Sequence, residues 1–140
     1  MREIKFRAKS SITNEWVYGG YYCMPDCRKD EDRHIVVYQD DMPGMQTKHE
    51  PVDINTLGQY TGVKDYKDNE IYEGDIVRFF NDVDYILKPG KVEVCFNLGA
   101  FCMKHFKYGT EPLRDMEIDD MFIKVIGNIY ENPELLKELK

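Results

Sequence analysis

The chain has 140 residues, 26 acidic against 19 basic side chains for a net charge of −7, and 42% apolar and 13% aromatic content. That length is one domain's worth and buries roughly two-thirds of the unfolded surface, so size alone requires neither disulfide nor metal. The aromatics exclude a disordered chain and favour β structure, and the acidic balance disfavours sequence-independent binding to phosphate backbones or anionic membranes.

No apolar run reaches the length of a bilayer span, and the opening MREIKFRAKS lacks the hydrophobic centre of a signal peptide. The expectation is a cytoplasmic protein in which the four cysteines are reduced thiols.

Arg2 to Ala8 alternates, with Ile4, Phe6 and Ala8 on one face and Glu3, Lys5 and Arg7 on the other, which reads as a half-buried strand. After polar turn residues, Trp16 to Tyr22 reads as the returning arm of a hairpin, with Gly19-Gly20 as a place to bulge or bend. Residues 25 to 33 are charged and aperiodic and read as a solvated loop. Their acids Asp26, Asp30, Glu31 and Asp32 lack calcium-loop spacing. His34 to Tyr38 is a short strand, Gln39 to Pro51 a second polar loop, and Val52 to Leu57 either one helical turn or an extended connector.

The stretch Tyr60 to Phe80, YTGVKDYKDNEIYEGDIVRFF, alternates turn and strand chemistry most densely. It reads as strand, turn, short strand, tight turn and strand, with Gly74 able to take positive φ and Asp75 able to accept backbone amides. Its Gly74-Asp75-Ile76-Val77 followed by Gly90-Lys91-Val92 suggests an SH3-like barrel element. A turn is expected at residues 81 to 84, and a hairpin from Lys91 to Phe106 with Phe96 and Phe101 in the core. Residues 109 to 121 carry no decisive pattern.

Met121 to Ile129 reads as a last buried strand. Asn132 then caps a short helix, Pro133 suits its first position and Glu134 its positive end. Leu135, Leu136 and Leu139 fall on one side of that helix and must dock, because so short a helix does not stand alone. The expected architecture is therefore mainly β, with antiparallel hairpins, the barrel element and a short C-terminal helix. Its two portions, residues 1 to 58 and 59 to 140, lie within one domain's usual length and are expected to share an interface.

The segments TGVKD and EIYEGDIV, the late run Ile126 to Leu136 and the opening Arg2 to Ala8 with Trp16-Val17-Tyr18-Gly19 resemble, in the same order, the YopX-like family of phage and prophage proteins. The resemblance spans nearly the whole chain. It implies a β-rich phage or prophage protein and supplies no catalytic residues. The family's glycine before E-I-Y-E-G-D is replaced here by Asp68-Asn69, either of which can enter the left-handed region at some cost.

Four chemical constellations are present. Cys23, Cys27, Cys95 and Cys102, with His34 or His105, match zinc in ligand type, but neither close cysteine pair has the two-residue knuckle spacing, so buried or incidental thiols are the better reading. A thiol-based enzyme needs a base beside a nucleophile, and no motif links His34, His49 or His105 to a cysteine, Ser10 or Ser11. A metal-dependent hydrolase could be written with Glu73 and Asp75, or Asp119 and Asp120, but the first pair suits a turn and the second a solvated loop. Lys104, His105 and Lys107 interleave with Phe101, Phe106 and Tyr108, which reads as a strand face rather than a nucleic-acid surface under this charge balance.

The remaining feature is aromatic. Tyr18, Tyr21 and Tyr22 cannot all face one core, so at least one points outward, as at an interface. The functional expectation is a non-catalytic binding or assembly module that contacts a protein partner or another copy of itself through these tyrosines and Leu135 and Leu136. Alternatives are a metal-dependent or thiol-based enzyme and an acidic mimic of nucleic acid that inhibits a host protein.

Overall fold

The alternation at the start of the chain forms the predicted hairpin. In the computed structural model, which describes residues 3–25, 33–39, 46–83, 86–97, 99–105, 109–112 and 122–137, β1 (Phe6–Lys9) pairs antiparallel with β2 (Trp16–Cys23), from Phe6 opposite Gly19 to Lys9 opposite Trp16. Ser10 holds the connecting turn. Its Oγ accepts from the amides of Ile12 and Thr13, each at 3.1 Å, and donates to Glu50 Oε1 at 2.6 Å.

The expected inside and outside faces fail at two positions. Ile4 is 61% exposed because it precedes the paired strand and has no sheet to pack on, whereas Arg7 is buried with its guanidinium 4.7 Å from the centre of the Trp16 ring. An arginine stem packs like an aliphatic chain and its planar head lies on an aromatic face, so charge alone does not assign it to solvent.

β3 (His34–Gln39) pairs with β2, and β4 (Thr47–Pro51) pairs with β3. The second polar loop therefore contains a strand. As an edge strand, β4 is joined through its backbone and leaves Thr47, Lys48 and His49 exposed, so no apolar alternation marks it; Pro51 is tolerated for the same reason. Residues Ile54–Thr56 form a 3-10 turn capped by Asp53, whose side chain accepts from the Asn55 amide at 3.0 Å, which decides between the two expectations for this connector. β5 (Gly58–Lys64) returns beside β1, giving the order β4-β3-β2-β1-β5 around a core of Ala8, Val36 and Val52 with Val17 and Leu57.

The chain divides into two units, Met1–Tyr60 and Thr61–Lys140, with the boundary inside β5. In the second unit β5 neighbours β6 (Glu70–Tyr72), and β7 (Asp75–Val83), β8 (Ile86–Asn97), β9 (Ala100–His105), β10 (Gly109–Pro112) and β11 (Lys124–Asn128) form a sheet in the order β10-β9-β8-β7-β11. Among the described residues the fold is mainly β and antiparallel with one short α-helix, α1 (Glu134–Lys137), as predicted.

The Gly-Asp and Gly-Lys segments do pair, with Ile76 opposite Glu93 and Val77 opposite Val92. Among the described residues, however, β10 and β11 stand at opposite edges, so this sheet is open rather than a closed barrel. The turn expected at residues 81 to 84 is also displaced. β7 continues to Val83, because Asn81 and Asp82 sit in the ladder opposite Lys88 and Leu87, and polar residues serve a ladder as well as apolar ones.

The second core comprises Ile71, Val77, Phe79, Val92, Val94, Met103 and Ile123, with Val63, Phe101 and Val125 packed against it. Phe101 is where it was expected. Phe96 is instead 55% exposed, one position before the hairpin end at Asn97 and Ala100, and meets the Phe101 ring edge-on at 5.1 Å. Residues 109–112, patternless in sequence, are a strand because β9 offers them a backbone edge.

Two buried carboxylates fix the turns. Asp75 Oδ2 accepts from the Tyr72 amide at 2.8 Å across Gly74, whose φ of +87° is the left-handed value expected there. Asp65 does more: Oδ1 accepts from the amides of Lys67 and Asn69 at 2.9 and 2.8 Å, and Oδ2 accepts from the Val125 amide at 2.9 Å. Asp68, in place of the family's glycine, takes φ +68° in the same turn.

β11 carries a register shift between Val125 and Gly127. Asn132 departs from its predicted helix-capping role. Its side chain reaches back to accept from the Asn128 amide at 3.3 Å, while its backbone carbonyl accepts from Leu135, because the approach of the chain to Gly127 places the amide oxygen there.

Replacing Gly74 with alanine forces a left-handed L-residue and puts Cβ 2.9 Å from Tyr130 Cε2. Urea unfolding should show a loss of about 2 kcal/mol or more, against about 1 kcal/mol for Gly62→Ala, where φ is also positive but the space is open. Equal losses would remove the Tyr130 contact from the account. Asp65→Ala, which strands three backbone amides, should lose about 3 kcal/mol, and Asp65→Asn less because one carbonyl oxygen remains. A neutral Asp65→Ala would show that the carboxylate does not hold this turn.

Candidate functional site

Two-residue periodicity sorts β2 into two chemically different faces. Tyr21 and Cys23 point to one side, and the pairing register sets Cys23 directly opposite His34 on β3. Tyr21 Oη lies 2.7 Å from His34 Nδ1, the two rings stack with centroids 6.0 Å apart, and the Phe6 ring sits 5.9 Å from Tyr21. Burial foremost, then the charge and hydrogen bond of Cys23, push the Tyr21 phenol above its ordinary range. Phenol and imidazole are thus joined by a hydrogen bond across two strands, with the thiol opposite the imidazole residue in the ladder.

His34 also lines a cavity of about 460 Å³ with Ser11, Asn14, Val52, Asp53, Ile54 and Asn55. Asn14 is held there at φ +61°, and Asp53 and Asn55 come from the 3-10 turn. The lining combines side-chain amides, a hydroxyl, an imidazole and a carboxylate with the aliphatic side chains of Val52 and Ile54. His34 Nδ1 is engaged by the Tyr21 phenol.

The other face of β2 carries Tyr18, Gly20 and Tyr22. Tyr18 is 44% and Tyr22 36% exposed, and the side of Gly20 that would bear a Cβ faces open space. Tyr22 Oη is 3.0 Å from His49 Nδ1 on β4, with the rings edge-on at 6.0 Å. Of the three tyrosines singled out in the sequence, two point outward and Tyr21 turns to the imidazole.

The remaining candidates divide. Cys95 and Cys102 face each other across β8 and β9, whereas Cys23 is on β2 in the first unit, and Cys27 lies outside the described residues. Among the described residues no three His, Cys, Asp or Glu side chains are grouped to hold a metal. Leu135 and Leu136 are half-buried on α1, which lies beside β8. Glu73 and Asp75 flank the Gly74 turn, where Asp75 serves the backbone. The side chains of residues 105–121, including most of the basic aromatic segment and Asp119-Asp120, lie outside the described ones.

Sequence reasoning missed Asp65, although an aspartate opening a turn-prone run is a known acceptor for the amides that follow. It also missed the joining of Tyr21 to His34, which depends on a strand register that no local pattern encodes.

A phenol raised on folding contributes stability that is complete below its ordinary pKa and is lost as the pH climbs past it. Tyr21→Phe should therefore delete a component of the tyrosinate absorbance that rises above the ordinary phenol range and flatten the alkaline fall in stability, at a cost of about 1 kcal/mol near neutrality for the lost hydrogen bond. An unchanged alkaline limb would show that Tyr21 is not the shifted group.

Comparison with known proteins gives the fold its context. The chain matches the YopX protein family over residues 5–137. Among solved structures it is similar to the protein EF1440 from Enterococcus faecalis, with 25% identity, a TM-score of 0.56 and coverage of 97% of this chain and 99% of that one. It is also similar to the yopX protein from Bacillus subtilis, with 21% identity, a TM-score of 0.55 and full coverage of both chains. No curated protein matches the sequence. No helix among the described residues is long and apolar enough to cross a membrane. With the family pattern covering all but the chain's ends, this chain belongs to the YopX family.

Proposed function

We propose that the protein is a non-catalytic assembly module of phage or prophage origin that works in the host cytoplasm and associates with a second copy of itself through the outer face of β2. The observation that carries this reading is the exposed strip Tyr18-Gly20-Tyr22. Its two rings are four residues apart on an extended strand, about 13 Å, with an open glycine trough between them. Such a strip is self-complementary: a two-fold axis midway between Gly20 and Tyr22 sets a Tyr22 ring of each copy against the trough of the other. Tyrosine contributes a large contact area at little entropy cost, and the bond to His49 already fixes Tyr22 before any partner arrives.

A native mass spectrum of the purified protein should show a multimer, and Tyr18→Ser with Tyr22→Ser should reduce it to a monomer while leaving the far-ultraviolet circular dichroism unchanged. A wild-type monomer at tens of micromolar, or a multimer indifferent to the tyrosine pair, would overturn the proposal. The Leu135→Ser and Leu136→Ser pair tests the other interface candidates, which are half-buried on α1 and lie outside the strip.

A further inference from the structure

The register of the β8–β9 hairpin places Val94 opposite Met103, Cys95 opposite Cys102 and Phe96 opposite Phe101. We infer that Cys95 and Cys102 form a redox-active dithiol, which closes to an intrachain disulfide by exchange with a low-molecular-weight disulfide of the glutathione type.

Directly opposed residues of an antiparallel pair have Cα atoms roughly 4.5–5.5 Å apart, inside the roughly 4.4–6.8 Å that a disulfide spans, so neither strand has to move. Alternation puts the pair on the face away from Val94 and Met103, both fully buried in the core. Both thiols are free. Cys95 is half-buried and open to attack, while Cys102 is 4% exposed with Sγ 3.4 Å from the Ala100 carbonyl oxygen. That difference assigns the roles.

The Cys95 thiolate attacks one sulfur of the small disulfide, forming a mixed disulfide and releasing one small thiolate. The Cys102 thiol then loses its proton to solvent and attacks Cys95 Sγ, releasing the second small thiolate. Two protein thiols become one disulfide, and one small disulfide becomes two small thiols. The bond encloses only residues 96 to 101, a loop the hairpin already closes, so it adds little to the fold and reverses by exchange with two molecules of the reduced small thiol, which leave as the small disulfide.

The surrounding charges set the pH response. Burial, then Cys102 and Glu93, and more weakly Glu73, push the Cys95 thiol up, and Lys104 alone pulls it down. Closure should therefore accelerate with rising pH, about tenfold per unit while Cys95 remains mostly protonated.

The test uses the full chain. Because no lysine or arginine lies between Val92 and Met103, trypsin releases both cysteines in the single peptide Val92–Lys104, whereas Cys23 and Cys27 leave together in another. After oxidised glutathione and then iodoacetamide, the Val92–Lys104 peptide should be lighter than its dithiol form by two hydrogens and carry no alkyl group. Dithiothreitol should restore two alkylatable thiols. In Cys102→Ser, glutathione should remain on Cys95. Two free thiols, or two glutathiones, in the wild-type peptide while the Cys23 peptide is oxidised would overturn the inference, and that wild-type map decides even where the variant does not fold.

Discussion

The buried carboxylate of Asp65 is the constraint on which the second unit depends. One oxygen gathers the amides of the turn between β5 and β6, and the other holds the amide of Val125 in β11, sixty residues later. A carboxylate taken from water must be met by donors, and here the donors are backbone amides that would themselves be orphaned without it. The neighbouring amide of Tyr66 bonds the Ile123 carbonyl, so the turn and the start of β11 are joined at two points beside a fully buried isoleucine. β11 in turn completes the ladder on β7, whose Ile76 and Val77 are fully buried.

The same economy appears at Asp75, where one carboxylate and one left-handed glycine reverse the chain between β6 and β7. The Gly74 amide bonds Val94 and its carbonyl accepts from Ile129, so this turn also touches β8 and the segment after β11. Asp75, which read as a possible metal ligand, is thus committed to a backbone donor.

The candidate side chains lie instead on strand faces. On β2, the alternation separates the phenol that bonds His34, together with Cys23, from the exposed Tyr18 and Tyr22. On the β8–β9 hairpin the same alternation separates the core pair Val94 and Met103 from the cysteine pair. In both places, chemistry is produced by what lies opposite across the ladder, not by what is adjacent in the chain.

Local patterns alone determined that the protein is mainly β and antiparallel, where its first hairpin lies, that Gly74 takes positive φ beside an amide-accepting Asp75, and that some of Tyr18, Tyr21 and Tyr22 must face outward. Those follow from turn chemistry and two-residue alternation, which need only neighbours in sequence. The strand in Thr47–Pro51, the burial of Arg7, the exposure of Phe96, the reach of Asp65 to Val125 and the meetings of Tyr21 with His34 and Cys95 with Cys102 were decided only in three dimensions. Each depends on which strand lies beside which and in what register, and a one-residue slip would leave every local pattern intact while turning each of these side chains to the other face.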